Sequence, residues 1–304
     1  MTQAIRYVRR SELDTAKWDR CIEESTNGLI YGYSFYLDRM AKNWDALVLN
    51  DYEYVMPLTW NKKFGLHYLY QPAFSASLGI FGKNTSQDIQ SDFLNNIPAK
   101  FKLIEIDLNF QNYYNEKTKG MINRTNYVLD LNKPYSEIFN NYRESTQRNI
   151  KKAIQLNCRY EDSIDVNKVI ELSKQQTQKL SPISEKDYDN FFELFKFLQQ
   201  KKQAVAAGIF SSNNELIASA VYFFSNHRAY YILVGNHPNG KTIGASHYLI
   251  DRFINTHCGQ NLLLDYEGSD VSSLAFFYSS FGASVETYPA LRVNRLPWWA
   301  KLFK

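Results

Sequence analysis

Two stretches in the second half of the chain bring together residue types that do chemistry. In LDYEGSDVSSLAFFYSSFGA (Leu264–Ala283), Asp265 and Glu267 stand at alternate positions of a strand-like run. Alternate strand residues share a face, so the two carboxylates form a candidate pair. Burial or mutual repulsion would raise the proton affinity of one, suiting it as general base toward an amine nucleophile. The competing reading is a strand-end pair satisfied by loop N–H groups or by a basic residue. Tyr278 follows in a helical segment that reaches Gly282 at a helix C-terminal position. It is a candidate proton donor or, beside Phe276 and Phe277, a packing residue.

The second stretch is GNHPNGKTIGASHYLIDRFI (Gly235–Ile254). A buried strand ends near Val234, passes a Gly/Asn/Pro loop and enters an amphipathic helix. Asn239, Gly240, Thr242, Gly244, Ala245 and Ser246 bracket the helix start, and Lys241 adds a cation. Free backbone N–H groups and the positive helix end favour an anion, and small residues let a pyrophosphate approach. The alternative is a strand–helix turn whose glycines relieve backbone strain. His227, His237, His247 and His257 recur every ten residues without a His-x-x-x-His or Cys-x-x-Cys pair, so the spacing gives no metal site. A Gly-x-Ser-x-Gly elbow and a Walker loop are both missing, which removes the serine hydrolase and P-loop readings.

The elements that must position these residues follow one layout twice. Ala46–Pro72 reads as three short strands split at Asn50-Asp51 and Asn61-Lys62-Lys63, and Ala204–Pro238 has the same plan. The later strands fall near Ala204–Phe210, Glu215–Phe224 and Arg228–Val234. Each unit runs through a loop into a helix (Ser86–Asn96; Gly244–Thr256) and then a strand (Lys102–Phe110; Asn261–Gly268). Such similarity at long period predicts an internally duplicated α/β protein. Between the halves, Asn132–Asn157 carries apolar residues at helical spacing, with Arg143, Arg148, Lys151 and Lys152 on its other faces. Helices follow at Asp165–Lys179 and Glu185–Lys201.

Composition bounds the answer. The chain has 304 residues, 44% hydrophobic and 22% charged, long enough for two domains and a sizeable core. The net charge of +4 permits an anionic ligand but lacks the concentrated basic face of a DNA binder. Cys21, Cys158 and Cys258 are an odd, scattered set, which argues against a disulfide framework and for a reducing, cytoplasmic setting. The start, MTQAIRYVRRSELD, has no apolar leader core, and no run is long enough to cross a bilayer. The end, LRVNRLPWWAKLFK, combines Arg292, Arg295, Lys301 and Lys304 with Trp298, Trp299, Leu302 and Phe303. It reads as a final strand and short helix docking on the core, or as a peripheral contact with the inner face of a membrane.

Three segments in register resemble the GNAT acyltransferase superfamily, in its tandem-domain FemABX-like branch. YRESTQRNIKKAIQ resembles that branch's R-x-N-I-x-K-A helix, through Arg148, Asn149, Ile150, Lys152 and Ala153. LLLDYEGS resembles its D-F-x-G strand end, through Asp265, Tyr266 and Gly268, and LAFFYSSFGAS its F-x-x-x-F-G element, through Phe277, Phe281 and Gly282. The resemblance implies an α/β (α+β) fold of two tandem GNAT-like domains, each a mixed, mostly antiparallel sheet flanked by helices. It places a degenerate, substrate-shaping domain at 1–133 and an acyl-donor domain at 134–304.

The superfamily's R/Q-x-x-G-x-G/A pyrophosphate turn corresponds to Lys241, Gly244 and Ser246. Lysine replaces Arg or Gln there, and serine replaces the last small residue. The resemblance raises Tyr278 as general acid for a departing thiolate, Glu267 or Asp265 as base, and Arg143, Arg148 and Lys152 as substrate contacts. The implied reaction is acyl transfer, foremost acetyl, from acetyl-CoA or another acyl-CoA to an amine of a sugar, lipid or cell-envelope precursor. Transfer from aminoacyl-tRNA ranks lower, because no sustained charged heptad arm is present. A catalytically silent binding protein is the rival of another class.

Overall fold

The computed structural model describes residues 4–177, 183–268 and 270–298. It divides into two compact units, one of residues 1–125 with 287–304 and the other of residues 126–286. The first contains strands β1 (Ile5–Arg9), β2 (Trp44–Leu49), β3 (Tyr54–Lys63), β4 (Leu66–Leu69), β5 (Phe81–Gly82) and β6 (Phe101–Asp107), with helices α1 (Thr15–Glu24), α2 (Ser34–Met40) and α3 (Gln87–Asn95). Strand β7 (Met121–Asp130) then carries the chain into the second unit. Helices α4 (Tyr135–Asn140) and α5 (Glu144–Gln155) come next, then β8 (Arg159–Glu161), α6 (Val166–Thr177) and α7 (Glu185–Gln200). Strands β9 (Ala204–Phe210), β10 (Leu216–Ser225) and β11 (Arg228–Asn236) lead through α8 (Pro238–Ile243) and α9 (Ala245–His257) to β12 (Leu263–Asp265). Helix α10 (Ser272–Ser279) and strand β13 (Ser284–Asn294) complete the described elements. The sequence reading drew the domain line at 133/134 and left everything after it in one domain. The compact units instead divide within β7 and again within β13.

The duplicated layout is visible in the pairing. In the first unit β1, β2, β3 and β4 run antiparallel in order, and β6 joins β4 in parallel. In the second, β8, β9, β10 and β11 run antiparallel, and β12 joins β11 in parallel. A returning strand closes each set antiparallel, the second part of β13 on β6 and the end of β7 on β12. The sheet is therefore mixed and mostly antiparallel, with helices supplying the connections that parallel neighbours need. Each unit also has its own apolar core. Leu47, Met56, Phe93, Ile104 and Leu291 belong to the first, and Leu129, Ile150, Tyr222, Phe253 and Phe281 to the second.

One device recurs at the same place in both units. Strand β6 ends at Asp107, which is buried and pairs with Arg124 at 3.1 Å and with Arg292. Strand β12 ends at Asp265, buried against Arg228 at 2.7 Å, and Arg228 also pairs with Glu286 at 2.6 Å. A buried carboxylate survives only with such partners, since leaving it unpaired costs several kcal/mol, roughly 3–5.

Local sequence explains the elements around the candidate site. Apolar positions of α9 (Leu249, Ile250, Phe253 and Ile254) fall at helical spacing and are all buried. Helix α7 begins with a capping box in which Ser184 and Asp187 exchange side-chain and backbone hydrogen bonds. Strand β11 holds a bulge. Val221 pairs with Leu233 and Tyr222 with Tyr231, which leaves Ile232 as an extra residue. Side chains alternate along a regular strand, so Tyr231 and Val234 could not share a face without it.

Candidate functional site

A cleft of about 890 Å³ opens in the second unit. Its walls come from α6 (Leu172, Gln175, Gln176), the bulged strand β11 with the residues after it, and α10 (Ser273, Leu274, Phe277, Tyr278). The floor is the α8–α9 turn, through His237, Gly240, Gly244, Ser246 and His247. The bulge brings both Tyr231 and Val234 to the lining. Helix α10 contributes Leu274, Phe277 and Tyr278 from one stripe, because residues three and four apart lie on one helical face.

The turn is built by close backbone approach. Gly244 has φ +79°, and a Cβ there would lie 2.4 Å from the Asn149 carbonyl oxygen of α5. A Cβ on Gly240 would lie 2.2 Å from the Ile217 carbonyl oxygen of β10. Asn239 donates its N–H to His237 Nδ1 at 3.3 Å, and Thr242 donates its hydroxyl to the Asn239 carbonyl at 2.9 Å. Ser246 donates to Asn236 Oδ1 at 2.6 Å, fixing the helix start to the strand end. Ala245 is fully buried in the core. The Lys241 side chain lies outside the described residues. The glycines thus permit close approach of the turn to the backbone of Asn149 and Ile217. The sequence reading made this segment a loop, whereas residues 238–243 form the short helix α8, with Pro238 in its first turn.

Tyr278 lies in the cleft wall with 8% of its surface exposed. Its ring stacks on Tyr266 at 4.6 Å between centroids. Burial, with the Glu267 carboxylate adding to it, pushes its hydroxyl up to about 12, so the group stays protonated. His247 is also held in the wall. Asn149 Nδ2 lies 3.4 Å from its Nε2, and Phe277 meets the ring edge-on at 4.8 Å. Burial pushes the imidazole down to about 4, so it is neutral near pH 7.

The carboxylate pair is not assembled as the alternation suggests. Asp265 accepts from Arg228 (2.7 Å), Asn126 (2.9 Å) and the Glu267 N–H (2.8 Å), and it is absent from the cleft lining. Strand β12 stops at Asp265, and Glu267 sits at φ +61°, so strand alternation no longer applies at the second carboxylate. The three basic residues are also set apart. Lys152 donates to the Thr242 carbonyl at 2.7 Å and so braces the turn. Arg143 lies over the Phe276 ring and donates to Ser279 at 3.2 Å, supporting the end of α10, while Arg148 is exposed. None of the three lines the cleft.

The sequence reading did not find Leu172, Gln176, His247 and Leu274. Apolar and amide residues on helices carry no signal that separates a cleft wall from a core face. For His247, its place three residues after Gly244 was the usable sign. Among the described residues no group of three His, Cys, Asp or Glu is placed to hold a metal, and no helix is long and apolar enough to cross a membrane. Of the C-terminal tail, Trp298 is exposed, and residues 299–304 lie outside the described residues.

No family model matches the sequence, and no curated protein matches it. Solved structures do match in shape. The crystal structure of FemX covers 96% of this chain and 99% of its own, with a TM-score of 0.66 at 12% identity. The chain has the fold of FemX. A conserved protein of unknown function from Bacteroides thetaiotaomicron covers 95% of this chain and 100% of its own, with a TM-score of 0.59 at 10% identity. The structure of L-PGS from Bacillus licheniformis covers 95% of both chains, with a TM-score of 0.53 at 11% identity. This FemX-like fold is the one that the three sequence motifs imply, and it extends over nearly the whole chain.

Proposed function

We propose that the chain is an N-acyltransferase that moves an acyl group from an acyl-CoA to an amine of a sugar, lipid or cell-envelope precursor. The observation that carries this reading is the cleft in the second unit, floored by the glycine turn and walled by a protonated tyrosine, on a FemX-like fold. The amine nitrogen attacks the thioester carbonyl, the C–N bond forms, and the C–S bond breaks. Tyr278 gives its proton to the departing thiolate and recovers one from the attacking nitrogen, so the products are the amide and the free thiol. Glu267 acts through Tyr278, its charge keeping the hydroxyl protonated. Lys152, Asn149 and Gly244 position the turn. Three unpaired thiols fit a reducing, cytoplasmic setting.

The test is calorimetric titration with free CoA and acyl-CoAs, followed by assay of thiol release with amine acceptors. Saturable binding that Ser273→Trp abolishes places the donor in the cleft. Tyr278→Phe should retain binding and lose about 10²-fold or more in turnover, the usual contribution of a positioned acid. Failure of every CoA species to bind would overturn the donor and leave aminoacyl-tRNA transfer or a silent binder.

A further inference from the structure

Among the described residues that form the lining of the cleft there is no Lys, Arg, Asp or Glu. Its two imidazoles are His237, which accepts a backbone N–H, and His247, buried and neutral. Phosphate groups seek cations and charge-assisted donors, which these walls do not offer. What the walls offer is apolar surface from Leu172, Tyr231, Val234, Leu274, Phe277 and Tyr278.

The apolar surface continues past the mouth. Helix α10 leaves Leu274 43% exposed at the cleft, and Val271 just before it is 56% exposed. Exposed large apolar side chains scattered singly are ordinary, but Val271 and Leu274 stand together beside an apolar cleft and extend its apolar surface. A volume of about 890 Å³ lies in the range of sites that enclose whole ligands.

The geometry points to a medium or long hydrocarbon acyl chain, carried by the donor, as the occupant of this cleft. The assignment rests on the acyl-CoA reading above and makes the substrate a fatty acyl thioester in place of acetyl-CoA. The chain lies along Leu172, Val234 and Phe277, and Leu274 at the lip covers it. The same hydrocarbon is also present in a free fatty acid and in a lipid acceptor, and the experiment separates these sources.

The full-length protein is titrated with free CoA, acetyl-CoA, octanoyl-CoA and dodecanoyl-CoA below their micelle-forming concentrations, and with dodecanoate and a dodecanoyl lysophospholipid. Each enclosed methylene should tighten binding threefold to fourfold, the equivalent of about 0.8 kcal/mol. Dodecanoyl-CoA should therefore bind at least about a hundredfold tighter than acetyl-CoA. Leu274→Asp, at a position that is 43% exposed, should weaken dodecanoyl-CoA about tenfold more than it weakens free CoA or acetyl-CoA. Loss of all three together would overturn the inference, because it would mark a collapsed site and not a lost chain contact. Equal affinity for acetyl-CoA and dodecanoyl-CoA would also overturn it, with the acyltransferase reading intact. Binding of dodecanoate or the lysophospholipid with no thioester binding would overturn both the donor assignment and the acyl-CoA reading.

Discussion

Burial sets the charge state of two titratable side chains in the cleft wall, Tyr278 and His247. Tyr278 keeps its proton, and His247 gives its proton up. For His247 this ties stability to pH with a definite sign. Its pKa is lowered from 6.5 to about 4 in the folded chain, so the unfolded chain binds the proton first as pH falls. The contribution is fully present above pH 6.5 and is lost as pH falls through 4, a loss of about 3 kcal/mol. Urea denaturation at a series of pH values on the native chain and on His247→Gln measures it. The difference between the two curves should change over that window and stay constant above it, and a flat difference would contradict the buried, neutral imidazole. Asp265 shows the opposite arrangement. It is more deeply buried than His247 and bonds to Arg228 and Asn126, which is why its place in the fold is that of a strand anchor. Burial works against the guanidinium of Arg228, and Asp265 and Glu286 outweigh it, holding its pKa above the ordinary value.

At the scale of elements, the α8–α9 turn transmits the position of α5 to the floor of the cleft. The contact is a glycine against a backbone carbonyl, which no side-chain rearrangement relieves. Gly244→Ala should cost about 2–3 kcal/mol, from the left-handed φ together with the clash at Asn149. Gly259 is the matched control. Its φ is +77° and a Cβ there meets nothing within 4 Å, so Gly259→Ala should cost only about 1 kcal/mol. Denaturant midpoints at constant slope compare the two, and equal losses would show that φ alone matters at the turn. This level was also the most legible in the sequence. The strands at 204–210, 215–224 and 228–234, and the helices at 86–96, 185–201 and 244–256, fall within one or two residues of those observed, because each has a clear apolar pattern and a turn or cap at its ends. The run at 132–157 reads as one helix, but the chain turns at Asn141–Arg143, where Arg143 N–H bonds to the Ser280 carbonyl, a tertiary contact with no local signature. Strand β7 and the first part of β13, ahead of the final strand expected from Leu291, have no such signal for a related reason. Their polar residues, such as Asn126 and Glu286, are buried by partners far away in the sequence, so period-two patterning is lost.

At the scale of the whole molecule, the two compact units each close over their own apolar core, and the three cysteines are shared between them. Cys21 lies in the first unit with its thiol pushed up to about 11 by burial, and Cys158 lies buried in the second. Cys258, also in the second, is only half-buried, with its sulfur donating to the Asn255 carbonyl at 3.2 Å. A thiol reacts as thiolate and only when reached, so both buried cysteines report the opening of their own unit. Separate cores behave as separate cooperative units when few apolar contacts must break together. Pulsed thiol labelling across a urea gradient should therefore give Cys21 and Cys158 different midpoints, with Cys258 labelled before either under native conditions. Because the described lining of the cleft falls within residues 172–278, binding of a CoA thioester there should stabilise the second unit by RT ln(1 + [L]/Kd), raising the Cys158 midpoint and leaving that of Cys21 in place. Coincident midpoints that rise together with ligand would mean that the two cores unfold as one, and that the duplicated halves are a single thermodynamic domain.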